Sequence, residues 1–266
     1  MEKMCRPSAA SVVSGAKLEQ IEFENEEVKY QGEVLIQKEK EDVELEDRIR
    51  HGQGVLSDLL DGTRYEGQFS LNRKHGKGKL VYEATGDAYE GQFKDNEIHG
   101  KGVFSFSNGE KFDGEFEHSQ MRTGVFTFEN GDEYAGDFKE DLFDGYSLMK
   151  YANGDTYCGD FQNGKRHGNG ILRVKASGRE FVGEFENGKM VHGQMKAAEG
   201  EYLGQFGQGE DGKYFYDGKG LMKFATGDVY EGRWENGQMH GYGVYVYHED
   251  FEDSDSEGED KNKKSD

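Results

Sequence analysis

The chain has 266 residues, a formal net charge of -21 and an isoelectric point near 4.8. Its hydrophobic content of 33% is too low for one large globular core but suits an array in which each unit buries only its contacts with its neighbours. The acidity argues against nucleic acid and anionic membranes as general partners, no apolar run approaches the ~20 residues of a membrane helix, and 40 glycines without a triplet period exclude collagen.

Residues 1–20 show no strand alternation, so a flexible N-terminus is expected there. The start lacks the apolar core of a signal peptide. Cys5 and Cys158 have no metal-type spacing, which predicts a reduced intracellular protein without a disulfide framework.

From residue 21 to 248 the reading is a repeat array. A degenerate copy at Tyr30/Gly32/Val34 is followed by a charged insertion at 37–50. Eight regular copies of aromatic-x-Gly-x-aromatic follow. Their aromatic pairs are Tyr65/Phe69, Tyr89/Phe93, Phe112/Phe116, Tyr134/Phe138, Tyr157/Phe161, Phe181/Phe185, Tyr202/Phe206 and Tyr230/Trp234. The first aromatics from 65 to 181 stand 24, 23, 22, 23 and 24 residues apart. A fixed period of this size marks a repeat architecture. In a strand, positions i, i+2 and i+4 share one face, so these pairs are the expected repeat core and each intervening glycine lets a ring lie over the backbone.

Each aromatic run has a return run of the form Gly-x-apolar-x-apolar, such as Gly78/Leu80/Tyr82 and Gly102/Phe104/Phe106. That alternation indicates a second half-buried strand. Asn108-Gly109, Asn130-Gly131 and Asn153-Gly154 are read as type I′ hairpin turns. The link of the Asn-Gly-Lys-Arg-His-Gly kind, at 163–168, is read as the longer connection. The fold class is therefore all-β: an elongated single-sheet array of about eight or nine β-hairpin repeats. Residues 189–201 shorten one unit and 208–217 lengthen the next, which marks a bend or a docking site.

Residues 249–266 form an acidic tail with one aromatic, expected to be disordered when free. Ser254 and Ser256 each have a glutamate at +3, a pattern resembling the substrates of acidophilic casein-kinase-2-type kinases.

The units Tyr89-Glu-Gly-Gln-Phe93…His99-Gly-Lys-Gly102 and Tyr230-Glu-Gly-Arg-Trp234…His240-Gly-Tyr-Gly243 resemble MORN repeats, over about residues 28–247. The resemblance implies a non-enzymatic structural scaffold that assembles other proteins. An array with an acidic tail is similar in layout to the radial-spoke head proteins of cilia, which implies the cytoplasm, the cytoskeleton and the ciliary or flagellar axoneme, with possible self-association. Two other readings stay open: a cortical or membrane-associated cytoskeletal scaffold, and a targeting module for a separate enzyme such as a lipid kinase. Two units depart from the pattern, with Arg122-Thr123-Gly124 and Asp144-Gly145 in place of the His-Gly dipeptide.

No catalytic, cofactor or metal site is read from the residues. His51, His75, His99, His167, His192 and His240 share one repeat slot. Adjacent slots would lie ~10 Å apart, while a zinc ion holds its ligands at ~2 Å. No serine stands in a Gly-x-Ser-x-Gly elbow, and the Gly-x-Gly strings lack strand–helix context. An open sheet leaves a second face uncovered. Tyr242, and Tyr151 if its strand keeps the standard register, are the rings expected to face a partner.

Overall fold

The computed structural model describes residues 17–36 and 48–248, and every regular element among them is a β-strand. In chain order these are β1 (Lys17–Glu24), β2 (Val28–Ile36), β3 (Ile49–Asp58), β4 (Thr63–Ser70), β5 (Arg73–Tyr82), β6 (Ala88–Lys94) and β7 (Glu97–Ser105). There follow β8 (Lys111–Glu117), β9 (Gln120–Thr127), β10 (Glu133–Lys139), β11 (Leu142–Lys150), β12 (Thr156–Gln162) and β13 (Lys165–Val174). The last are β14 (Arg179–Glu186), β15 (Lys189–Ala197), β16 (Gly200–Gln208), β17 (Tyr214–Phe224), β18 (Val229–Glu235) and β19 (Gln238–Val246).

Each strand pairs antiparallel with its successor, giving one open 19-stranded sheet. At ~4.8 Å per strand the outer strands stand on the order of 85 Å apart. Even-numbered strands carry the aromatic-x-Gly-x-aromatic pattern or its degenerate first copy, and odd-numbered strands are the returns.

Glycines pair across the sheet in one row: Gly54 with Gly67, Gly67 with Gly78, Gly78 with Gly91, and onward to Gly232 with Gly243. Crowding sets this requirement. A Cβ on Gly78 would come within 2.5 Å of the Tyr65 ring, and one on Gly67 would meet the Gly78 Cα at 2.5 Å. The row is interrupted at Ser147, which stands opposite Gly159.

The two kinds of link are the reverse of the sequence expectation. The short link follows the aromatic strand. Leu71-Asn72, Asp95-Asn96 and Asn163-Gly164 have positive φ at both residues, the conformation of a type I′ turn. Strand β13 then starts at Lys165, so residues 165–168 extend a strand instead of forming a loop. At Asn108-Gly109 only the glycine has positive φ. Gly109 N–H donates to the Phe106 carbonyl and Phe106 N–H to the Glu110 carbonyl. That is a three-residue loop, a type I turn closed by a left-handed glycine. Asn130-Gly131 and Asn153-Gly154 repeat it.

Two boundaries also move. Strand β1 begins at Lys17, inside the segment expected to be flexible, because Ile21 and Phe23 alternate onto the core beside Tyr30. Asn25 Oδ1 closes the turn by accepting from the N–H groups of Glu27 and Val28. Ile49 and Arg50, at the end of the expected insertion, belong to β3. The rest of that insertion (37–47), the N-terminus (1–16, with Cys5) and the tail (249–266, with Ser254 and Ser256) lie outside the described residues.

Candidate interaction surfaces

One face of the sheet holds the core. Tyr65, Tyr89, Phe112, Tyr134, Tyr157, Phe181, Tyr202 and Tyr230 are buried there, as are their partners Phe69, Phe93, Phe116, Phe138, Phe161, Phe185, Phe206 and Trp234. A single layer buries its rings by stacking along the array. Tyr65 meets Phe69 edge-on at 5.1 Å between centroids and meets Phe93 of the next unit at 4.9 Å. Such pairs contribute about 0.5–1.5 kcal/mol beyond their area.

Each tyrosine hydroxyl stays satisfied by turning back to its own strand. Tyr65 Oη donates to the Gln68 carbonyl at 2.8 Å and Tyr89 Oη to the Gln92 carbonyl at 3.0 Å. Burial pushes the Tyr30 and Tyr89 hydroxyls up to about 12.

A third core position was not read from the sequence. It lies on the return strand opposite the second aromatic of each pair, as Lys74 does opposite Phe69 and Tyr216 opposite Phe206, and covers the tyrosine ring. Lys74 Nζ stands 5.5 Å from the Tyr65 centroid and the Arg166 guanidinium 5.5 Å from that of Tyr157. Phe143 stacks on Tyr134 at 3.9 Å and Tyr216 on Tyr202 at 4.2 Å. The residue type changes from unit to unit, so the repeat pattern hides the position.

The two long edges are stitched between units. At the type I′ edge, Asn96 N–H donates to the Lys74 carbonyl, and Asn96 Oδ1 accepts from Lys74 N–H at 2.9 Å. At the three-residue-loop edge, Asp87 Oδ1 accepts from Ser107 N–H and Asp228 Oδ1 from His248 N–H, both at 2.8 Å. These donors hold both carboxyls below the usual aspartate range.

The other face has no second layer over it among the described residues. Around β4–β8 one of its rows is mostly charged: Glu66 opposite Lys79, Lys79 opposite Glu90, Val103 opposite Asp113. From β9 the same row turns apolar over six strands. Val125 pairs with Ala135, Ala135 with Leu148, Leu148 with Cys158, Cys158 with Ile171, and Ile171 with Val182. Tyr146, 67% exposed, stands beside this row with its hydroxyl 3.2 Å from the Cys158 sulfur. Nothing among the described residues covers the row.

The two rings expected to face a partner part company. Tyr242 is 95% exposed on the open face of β19. Tyr151 packs against the core instead. Strand β11 ends at Lys150, and Tyr151 flanks the three-residue loop 152–154 as Phe106 flanks its own, with its N–H donating to the Asp155 carbonyl. Burial raises its hydroxyl pKa. Strand β11 keeps the standard register, with Met149 opposite Tyr134 as Phe104 is opposite Tyr89, and that register puts Tyr151 on the core face in the place of Phe106, not on the open one.

The shared histidine slot belongs to a bulge. Gly76 and Gly100, which follow His75 and His99, have positive φ. Gln68 and Gln92 Oε1 fill the space beside them by accepting from Lys77 and Lys101 N–H at 2.9 Å. Among the described residues no three His, Cys, Asp or Glu side chains gather into a metal-holding group.

The lengthened unit bends inward. Its loop at 209–213 leads to Tyr214, whose ring lies 5.3 Å from Phe181 and whose hydroxyl accepts from Met190 N–H. Phe181, Tyr214, Tyr216 and Trp234 line a groove of about 540 Å³ on the core face.

Comparison with known proteins gives one family. The MORN repeat matches at residues 65–84, 89–111, 112–133, 134–156, 157–173, 181–201, 202–229 and 230–249. No curated protein matches the chain. One similar solved structure is the SAS-4 (dCPAP) TCP domain in complex with a proline-rich motif of Ana2 (dSTIL) of Drosophila melanogaster. It shares 16% identity, with 70% of this chain and 98% of that chain covered, at a TM-score of 0.34. A likeness at that level says nothing about function.

Proposed function

The chain belongs to the MORN-repeat family, and from that premise we propose that it is a structural subunit of the ciliary or flagellar axoneme, of the radial-spoke-head kind. MORN repeats are protein-interaction and scaffold modules, not typically catalytic ones. The axonemal placement is the finer reading. Its support is the layout of a long array with an acidic tail.

One observation carries the scaffold role for this chain: the apolar row from Val125 to Val182 on an uncovered face. A row spanning six strands is on the order of 24 Å long. Val125 and Val182 at its ends are exposed and the four residues between them half-buried, and a continuous apolar strip rimmed by polar groups marks a protein-contact site. On the flank of Tyr146, the rim carries Asp137, Asp160 and Glu184. The partner face is therefore apolar with basic residues along one side. The proposed location is the cytoplasmic cytoskeleton, in the axoneme of the cilium or flagellum.

The test is fractionation of ciliated cells expressing the tagged chain. Retention in the detergent-resistant axoneme, lost on Leu148→Lys with Ile171→Lys, supports the reading. Release with membranes, or with a soluble enzyme, overturns the axonemal placement.

A further inference from the structure

The last strand of the sheet differs from every other. Strand β19 is exposed along nearly its whole length. Tyr242 and Val244 are 95% and 65% exposed on the open face, and Met239 and Tyr247 are exposed as well. In a chain of net charge -21, residues 238–246 contain no Asp, Glu, Lys or Arg. The opposite edge is defended in the usual way: β1 carries Lys17, Glu19, Glu22 and Glu24, with Lys17 paired to Glu19 at 3.1 Å. Charged edge strands resist strand addition, and uncharged apolar ones invite it.

The array also states what should come next. Each internal return strand is followed by an aromatic strand that supplies three things. Its glycine continues the row, as Gly91 does beside Gly78. Its second aromatic packs edge-on against the preceding tyrosine, as Phe93 does on Tyr65. The turn after it donates an N–H to the return strand's carbonyl, as Asn96 does to Lys74. Beyond β19 all three are missing among the described residues. Gly243 has a neighbour on one side only, Tyr230 has no following ring, and Met239 stands where Lys74 does with no turn beyond it.

We infer that the outer edge of β19 is a docking site for an aromatic-x-Gly-x-aromatic strand supplied by another polypeptide, so that the array continues from one protein into the next. Among its described residues, a second copy of this chain does not supply such a strand. Its two free edges are β1 and β19, and both are return strands. In β1 the glycine position is occupied by Ile21, opposite Gly32. The incoming strand adds main-chain hydrogen bonds, and its alternate side chains are selected by the glycine row and by Tyr230. The inference rests on the scaffold reading but not on the axonemal placement. Failure of the experiment below leaves the fractionation result standing.

The probe is a synthetic peptide with the sequence of residues 87–96, titrated into isotopically labelled full-length chain. Saturable binding is expected, with the largest amide shifts at Gly243, Tyr245 and Tyr247, whose N–H groups face away from β18. A peptide carrying Gly91→Val should lose binding, and Val244→Asp in the chain should weaken it at least tenfold. Three results overturn the inference. Equal binding of the Gly91→Val peptide would mean that the glycine row selects nothing. Binding that appears only after residues 249–266 are removed would mean that the chain's own tail occupies the edge. Absence of binding, with Tyr242→Cys/Val244→Cys chains cross-linking to each other, would mean that the edge pairs with a second copy.

Discussion

Ser147 Oγ lies 2.7 Å from Tyr134 Oη, at the one break in the glycine row between Gly32 and Gly243. A hydroxyl fits there because Gly136, beside it, leaves the space that a Cβ would take. The Tyr134 hydroxyl also donates to the Asp137 carbonyl at 2.7 Å, so it stays satisfied without the serine. Ser147→Gly should therefore destabilise by no more than ~1–2 kcal/mol, from a lost hydrogen bond and added backbone freedom. Gly159→Ser should cost more, ~1–3 kcal/mol, because its Cβ would meet the Gly170 Cα at 2.5 Å. Urea midpoints of the two variants test the order; a reversed order would show that the backbone at Ser147 is as close as elsewhere.

Gly136→Val puts a branched side chain against Ser147 and the Tyr134 hydroxyl. In an array the damage stays with neighbouring hairpins. Hydrogen exchange should rise across 112–161 and stay unaltered in 50–82.

Glu140 is exposed and adopts φ of +52 as the first residue of a type I′ turn. A left-handed conformation costs an ordinary residue ~1–2 kcal/mol, and asparagine tolerates it better. Glu140→Asn should raise the thermal midpoint. At the next position Asp141 Oδ1 accepts from Met121 N–H at 3.2 Å, so Asp141→Ala should lower it.

The depressed carboxyls of Asp87 and Asp228 set an acid limit. A carboxyl whose folded pKa is below its unfolded value adds stability that is complete above the unfolded value and is lost as pH falls through the folded one. Stability should therefore drop below about pH 4, and the drop should be shallower in an Asp87→Ala/Asp228→Ala variant. Identical pH profiles of the urea midpoint would remove these two groups from the account.

Small-angle scattering should give a maximum dimension on the order of 85–100 Å. A compact chain of this length would give ~50 Å. Deleting 249–266 should leave the thermal midpoint nearly unchanged, since β19 closes the sheet at Val246.

The sequence by itself determined the strands, their faces and the array, because these follow from short-range facts. Tyr134, Gly136 and Phe138 alternate onto one face in any strand, and a period of 22–24 residues leaves room for one hairpin. It did not reveal which link is the tight one. Asn-Gly satisfies a type I′ turn at 163–164 and, with a different asparagine conformation, a three-residue loop at 108–109. The choice between them is made by the pairing of Gly102 with Gly114 and of Gly159 with Gly170, which fixes how many residues remain for each link. Tyr151, by contrast, follows from local alternation: Ser147, Met149 and Tyr151 share the core face as Gly102, Phe104 and Phe106 do. The apolar row from Val125 to Val182 exists only across strands, since its members lie 10 to 13 residues apart along the chain and become neighbours through register alone. Local pattern decides which way a side chain points, but long-range pairing decides what stands next to it.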